Sequence, residues 1–293
     1  MDAMADFLRQ TAKSNGIPLT HAALVLPSTE VFTRELVMPA MTEQQLLYNL
    51  PYEFRDYLTE EKNKYFFDYS MREVLRDESG QPTEMNLLAC ATLKSTVESY
   101  RAMLRRAGFR LRVLTPSECA YSAVLQAYYR RTRQEGRDLC VVNLGHSATF
   151  LYIYRGGRFA SRREIEVGMS DLEHLVADQC SVDVHVAHEY VRQNYNHVLE
   201  SEQARELYGR IAVEVVKAVN FFNYNNRERE LTQLCLCGGG SAIQPLYDTI
   251  ADTTGMTLHT SAELLGQRMS TEEPWMYLRA IGGVDLGIKG GLR

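Results

Sequence analysis

The most informative features of this 293-residue sequence are absences. No apolar run approaches the roughly 18 to 20 residues that a membrane-spanning helix needs. The opening residues, Met1–Phe7, lack the basic-then-apolar pattern of a secretory signal. The chain contains no internal repeat, no low-complexity tract and no long linker. Because 37 acidic residues face 32 basic ones, nothing favours bulk binding of nucleic acid. We therefore expect a soluble, cytoplasmic protein.

The six cysteines do not form a metal-binding pattern. Only Cys235 and Cys237 lie close together, and one intervening residue places both thiols on the same face of a strand. Structural zinc sites use longer spacings and a second ligand pair. We therefore predict small buried apolar side chains in a reducing compartment. His185 and His188 lie on one predicted helix without a suitable third ligand, so we assign no metal site.

The length suits two domains, and a polar stretch at 131–138 is the predicted boundary between them. Before it, residues 22–114 read as β-β-α-β-β-α-β, a small α+β unit. Thr42 and Gln45 form a predicted capping box for its first helix, and Gly108 is predicted to end the second helix. A shorter polar stretch, 76–82, is predicted to be a turn between two strands.

After the boundary we predict a strand at 139–143, a turn, and two more strands joined by Gly156 and Gly157. Three helices and a buried strand at 231–237 should follow. A helix starting at Ser241, a short strand at 257–258 and a last helix at 274–286 complete the prediction.

The turn after the first of these strands is the first candidate site. It comprises Asn143, Gly145, His146, Ser147 and Thr149, and such a turn can offer several backbone N–H groups to one anion. Gly and Ser are also ordinary turn residues, so this segment alone favours a plain β-hairpin.

The second candidate site is the run Gly238, Gly239, Gly240 and Ser241, between a buried strand and a helix. Glycines let a backbone approach a ligand closely, and the helix would direct its positive end at an anion. No Gly-Lys-Ser/Thr follows, and Ile243 occupies the position of the third Rossmann glycine, so neither of those phosphate motifs is present. We favour a ligand-binding interpretation.

The third candidate site is the pair Glu214 and Lys217, three residues apart on one helix face. A carboxylate suits a ribose hydroxyl and the Lys stem suits an adenine edge. The alternative is a solvated ion pair, which is the commoner case.

Taken in chain order, the sites at 143–149, 214–217 and 238–241 resemble the phosphate-2 hairpin, ribose-contacting helix and adenosine turn of actin-like ATPases. Within that superfamily the chain is most similar to PilM-type proteins of type IV pilus assembly, over almost its whole length. The resembling segments are 36–41, 65–69, 95–100, 107–109, 162–168, 213–217 and 277–287. The cell-division protein FtsA is a cousin, and the lack of a C-terminal amphipathic tail makes it the poorer match.

The resemblance implies an α/β, actin-like (ribonuclease H-like) two-lobe fold with a small inserted α+β subdomain near 22–114. The first lobe would span 1–138, the second 139–265, and the helix in 266–293 would return to the first lobe. It further implies binding of ATP or ADP with Mg²⁺. The implied function is an assembly scaffold at the inner face of the membrane, for a pilus or a related secretion or DNA-uptake machine. The implied partner is the cytoplasmic N-terminal peptide of a PilN-like membrane protein. Its groove would use some of the aromatic residues Tyr48, Tyr52, Phe54, Tyr57, Tyr65, Phe66 and Phe67, while others form core.

Two departures from the actin-like pattern weaken the nucleotide prediction. A first phosphate loop of the type Asp-x-Gly-Ser/Thr is missing, so either the start lies upstream or half of the phosphate clamp is absent. The phosphate-2 loop begins with Asn143 instead of Asp, which should weaken Mg²⁺ binding and removes a carboxylate base. His146 takes the place of a small residue and would crowd a triphosphate.

Two other functions stay open. An ATPase or phosphotransferase of the actin/sugar-kinase clan would need a carboxylate near the γ-phosphate. Glu118 is the remaining candidate acid, although a Glu at a helix start is usually a dipole partner. A filament-forming protein is the other alternative. We assign no catalytic residue.

Overall fold

A computed structural model describes residues 1–134, 136–227, 229–266 and 272–289. The chain packs as two units, one formed by residues 1–120 with 283–293, and the other by residues 121–282. This division falls within a single helix, Ser117–Thr132. The lobe boundaries at 138 and 266 remain predictions.

The first unit contains two separate sheets. Its elements are α1 (Asp2–Ser14), β1 (His21–Leu26), β2 (Phe32–Pro39), α2 (Glu43–Glu53), β3 (Tyr65–Arg76), β4 (Pro82–Leu93), α3 (Lys94–Ala107), β5 (Arg110–Pro116) and the start of α4 (Ser117–Thr132). The predicted β-β-α-β-β-α-β order is therefore confirmed. Its strands do not share one sheet, because β1 pairs in parallel with β5 while β2, β4 and β3 form an antiparallel sheet in that order.

The three-stranded sheet has one face covered by α2. Leu46, Leu50 and Phe54 lie in the core against β-strand residues such as Leu87 and Ala89. The Thr42 hydroxyl accepts a hydrogen bond from the Gln45 backbone N–H, and the Thr42 backbone N–H donates one to Oε1 of Gln45, so the capping box is confirmed. Glycine at 108 ends α3, also as predicted, with φ +99°.

The second unit is a five-stranded mixed sheet with the order β10-β9-β6-β7-β8. Its elements after α4 are β6 (Leu139–Leu144), β7 (Thr149–Arg155), β8 (Arg158–Ile165), α5 (Met169–Cys180), α6 (Val184–Gln193), α7 (Glu202–Asn225), β9 (Gln233–Cys237), α8 (Gln244–Thr254), β10 (Thr257–His259), α9 (Ser261–Leu265) and α10 (Leu278–Lys289), which ends in the first unit. Gly156 and Gly157 both have positive φ, as a tight hairpin requires. The apolar stripe of α7 packs on this sheet in the main core.

Two predicted helix starts are wrong. The segment after the glycines is a 3-10 turn, Gly239–Ala242, and α8 begins only at Gln244 with proline in its first turn. Likewise Pro274–Met276 is a 3-10 turn, and α10 begins at Leu278. In both places a proline marks the irregular start of a helix, because it lacks the N–H that an interior position needs.

None of the helices in the described ranges combines the length and the apolar character needed to cross a membrane.

Candidate functional site

The first and second candidate sites lie at the carboxyl ends of two neighbouring strands of the five-stranded sheet. Strands β6 and β9 are parallel neighbours, and Asn143 pairs in register with Cys237. Because the two parallel strands end side by side, the turn that follows β6 lies beside the turn that follows β9. The structure therefore brings together Asn143, Gly145, His146, Ser147 and Thr149 with the glycine run.

Packing at these strand ends requires a glycine at position 238. Its φ is +83°, and a Cβ there would lie 2.4 Å from Asn143 Oδ1 and 2.7 Å from the carbonyl oxygen of Leu144. No other residue type fits both the conformation and the space. Gly238 also donates its N–H to the carbonyl of Trp275.

The other two glycines differ from each other. A Cβ on Gly240 would lie 2.6 Å from the sulfur of Met169 and 2.8 Å from Cβ of Leu144, whereas a Cβ on Gly239 would meet nothing within 4 Å. Packing thus explains why positions 238 and 240 are glycine, whereas of the three only Gly239 faces open space. Ser241 does not begin a helix as predicted, because its hydroxyl donates to the Gly238 carbonyl (2.6 Å) within the 3-10 turn.

The hairpin turn is held by the segment that leads into α5. The carbonyls of Gly145 and His146 accept hydrogen bonds from the N–H groups of Met169 (3.0 Å) and Ser170 (2.8 Å). At Gly168, a Cβ would lie 2.3 Å from the His146 carbonyl oxygen. These hydrogen bonds use the first two backbone N–H groups of α5 and fix the turn in place.

A side chain fixes the base of the same turn. The buried hydroxyl of Thr149 donates to the carbonyl of Val167 (2.9 Å). Among the described residues, the N–H groups of His146 and Ser147 have no backbone acceptor. These two adjacent donors at the tip of a rigid turn suit an anion. Sequence reasoning missed Gly168 as a site residue, although its place between a strand and a helix was a usable signal.

His146 lies beside a carboxylate that the sequence did not reveal. Its Nδ1 is 3.8 Å from Oε1 of Glu173, a buried residue on α5, and His188 Nδ1 lies 2.9 Å from the same oxygen. The His146 side chain is 68% exposed. Crowding of a triphosphate by this ring remains a prediction.

The amide of Asn143 is buried and faces the strand ends. Its Oδ1 lies 4.0 Å from the sulfur of Cys237, whose pKa burial raises to about 11, so that the thiol is protonated at neutral pH. Within the described residues, no group of three or more His, Cys, Asp or Glu side chains is arranged to hold a metal ion. The hairpin thus fits a phosphate through its N–H groups and offers Mg²⁺ no carboxylate.

Glu214 and Lys217 lie in a neighbouring groove. Their side chains form an exposed ion pair, the alternative that the sequence left open, with Nζ of Lys217 2.7 Å from Oε1 of Glu214. They also line a groove of about 660 Å³ together with Glu164, Ile165, Glu166, Val167, Gly209, Arg210 and Val213. Since Val167 also binds Thr149, the segment 164–168 joins this groove to the hairpin turn. The glycine run packs against Asn143, Leu144 and Met169, the nearest neighbours of a Cβ at Gly238 or Gly240.

The aromatic residues of the first unit divide into two groups. Phe54 and Tyr65 are buried and Phe67 packs against the same core. The exposed members are Tyr48, Tyr52, Tyr57 and Phe66. Tyr48 and Tyr52 lie next to each other on the outer side of α2, with their ring centroids 6.1 Å apart.

The candidate acid Glu118 is buried in the first turn of α4.

Comparison with solved structures identifies the fold. The structure shares its fold with a chain of the solved "PilM-PilN type IV pilus biogenesis complex", with a TM-score of 0.78 and 18% identity over 99% of this chain and 85% of that one. Its fold class is α/β and actin-like.

The sequence profile described as "Type IV pilus assembly protein PilM" matches residues 1–273. The chain therefore belongs to the PilM family of type IV pilus assembly proteins. More distant structures are the ethanolamine utilization protein EutJ from Carboxydothermus hydrogenoformans (TM-score 0.49, 14% identity, 67% of this chain and 62% of that one) and the archaeal actin homolog Ta0583 in complex with ADP (TM-score 0.45, 14% identity, 62% and 59%). Comparison with curated protein sequences found no match.

Proposed function

We propose that this chain is a cytoplasmic scaffold at the inner face of the membrane that holds the N-terminal peptide of a PilN-like protein. Membership of the PilM family supports a role in pilus assembly. The chain of similar fold was solved in a complex named PilM-PilN. A related secretion or DNA-uptake machine would use the same kind of docking.

The observation that carries the docking proposal is the edge of the three-stranded sheet. Strand β3 has 12 residues, Tyr65–Arg76, and among the described strands it pairs only with β4. Its outer edge presents a row of backbone donors and acceptors, which an extended peptide can complete as an added strand.

Side chains beside this edge supply the contacts that select a peptide. Phe66 is exposed on the sheet face opposite α2, and Lys94 Nζ lies 5.4 Å from its ring centroid. Arg72 pairs with Glu35 on the same face, where partial burial raises the pKa of that carboxyl. Aromatic and arginine side chains are enriched in protein interfaces, so Phe66 and Arg72 are the candidate anchors for a peptide.

The test is fluorescence anisotropy with a labelled synthetic peptide, the cytoplasmic N-terminal segment of a PilN-like protein from the same organism. Phe66→Ala should weaken binding by about ten-fold or more, the typical cost of truncating an anchoring aromatic residue. Phe7→Ala removes a more exposed aromatic ring (62% against 43% for Phe66) from α1 and should leave binding unchanged. Equal affinities of the two variants would refute docking at β3.

We further propose that the second unit binds ATP or ADP weakly, with little or no hydrolysis. The N–H groups of His146 and Ser147 would hold a phosphate, and the groove of Glu214 and Lys217 would hold the ribose. Asn143 supplies no charge for Mg²⁺, which supports weak metal dependence.

Calorimetric titration with ATP, with and without Mg²⁺, tests this second part. Lys217→Ala should lower the affinity several-fold, while Arg205→Ala, at an exposed position of the same helix outside the groove, should not. Asn143→Asp should make binding more dependent on Mg²⁺. Absence of binding, or rapid ATP hydrolysis by the unaltered chain, would contradict the proposal.

A further inference from the structure

A second open strand edge lies in the other unit, far along the chain from the proposed docking strand. Strand β8 is the last strand of the five-stranded sheet, and within the described part of the chain it pairs only with β7. Its outer N–H and C=O groups therefore lack strand partners. Such an edge either is protected by the protein or receives another polypeptide.

Helix α7 packs on the face of the sheet beside this edge. It packs against β8, and Arg163 of the strand lies over the ring of Phe221, with its guanidinium carbon 4.5 Å from the ring centroid. A strand edge flanked by a helix is the geometry in which several domains bind extended peptides, which add a strand and lay alternate side chains against the helix.

Three apolar side chains of α7 are exposed to solvent, on the same side of the helix as the exposed Lys217. Val213, Phe221 and Tyr224 are 44%, 55% and 69% exposed. Their spacing places them on one side of α7, away from buried residues such as Val215 and Val219. Single exposed apolar residues are ordinary, but an aligned set beside an open strand marks an interaction surface.

The charge of this surface indicates its occupant. Arg158, Arg163 and Arg227 are all exposed, and Arg227 lies over the ring of Tyr224, 5.1 Å from its centroid. Among the described residues none of these three pairs with a carboxylate, whereas Arg155 and Arg229 both lie near Asp138. A cluster of unmatched guanidinium groups in a chain with a net charge of −5 favours an acidic ligand.

We propose that the edge of β8 and the exposed side of α7 bind an extended acidic segment of a partner protein. The segment pairs its backbone with Arg158–Ile165, sets carboxylates against Arg158 and Arg163, and places an apolar side chain on Phe221. This surface is separate from the proposed docking at β3, whereas its Ile165 end and Val213 also line the proposed nucleotide groove.

Three fluorescent peptides, matched in length to β8, test the proposal by anisotropy with the full chain. In the acidic probe Asp alternates with Val and one Phe. The basic probe has Lys in place of Asp, and the blocked probe is the acidic one with alternate backbone nitrogens methylated. Only the acidic probe should bind, and it should bind more weakly at high salt.

Variants locate the binding. Phe221→Ala and Arg163→Glu should each weaken the acidic probe by about ten-fold or more. Tyr48→Ala, which removes an exposed ring from α2, should not. Both altered positions are exposed, and circular dichroism should confirm an unchanged fold.

Several results would overturn the proposal. They are failure of the acidic probe to bind, equal binding of the basic or blocked probe, and unchanged binding in Phe221→Ala. Concentration-dependent self-association that Phe221→Ala abolishes would instead identify a second copy of this chain as the occupant. None of these outcomes alters the affinity for the PilN-like peptide, which Phe66→Ala tests separately.

Discussion

The three consecutive glycines should respond differently to the same substitution. A Cβ at Gly238 would lie 2.4 Å from Asn143 Oδ1 and 2.7 Å from the Leu144 carbonyl, on a backbone with φ +83°. The left-handed conformation costs an L-residue about 1–2 kcal/mol, and forced overpacking adds about 1–3 kcal/mol. Gly238→Ala should therefore lower the free energy of unfolding by about 2–5 kcal/mol.

Gly239→Ala is the matched control, because a Cβ there meets nothing within 4 Å and its φ lies outside the left-handed region. It should leave the free energy of unfolding unchanged or raise it by up to about 1 kcal/mol, since alanine restricts the unfolded chain. Urea denaturation followed by circular dichroism measures both values.

A double substitution tests the cause of the effect at Gly238. Asn143→Ala removes the side-chain oxygen but leaves the Leu144 carbonyl in place. The pair Asn143→Ala and Gly238→Ala should thus be less destabilised than the sum of its single changes, by about 1 kcal/mol. Additive effects, or a Gly238→Ala variant as stable as Gly239→Ala, would refute the reasoning from this geometry.

The remaining predictions concern local contacts and thiols. Thr42→Ala should destabilise the protein by about 1 kcal/mol in urea denaturation, and Thr42→Ser should restore most of that loss. Thr149→Val leaves a buried carbonyl without its donor and should cost about 1–3 kcal/mol in the same assay. Burial raises the pKa of Cys90 to about 12 and of Cys119 to about 11, so at pH 8 both stay protonated and should react slowly with a disulfide reagent. Cys180, partly exposed at the end of α5, should supply the fast-reacting thiol, and Cys180→Ser should abolish that phase. A fast phase that persists in this variant would contradict the assignment.

The aromatic residues of the first unit show how far pattern reasoning reaches. The sequence predicts that some of them form core, but it does not separate Phe54 and Tyr65, which are buried, from Tyr48 and Phe66, which are exposed. The separation depends on which face of the β2-β4-β3 sheet α2 covers. That choice is made by packing between segments distant in sequence.

Pro245 is a local signal that marks the start of α8. Pro245 suits the first turn of a helix and is costly further inside it, which places the start near Gln244. The prediction relied on the serine after the glycines instead. By contrast, no local pattern could have paired His146 with Glu173, because 26 residues of hairpin and helix separate them.

The sequence by itself determined the order of the elements in residues 22–114, the capping box at Thr42 and the glycine at the end of α3. Those features depend on contacts within a few residues, and the chemistry of a cap or a turn is written locally. Only the tertiary structure decided that β6 and β9 are neighbours. That pairing places Asn143 against Gly238. The strand order within each of the two sheets likewise leaves the edges of β3 and β8 open, because strand pairing joins backbone groups that lie far apart along the chain.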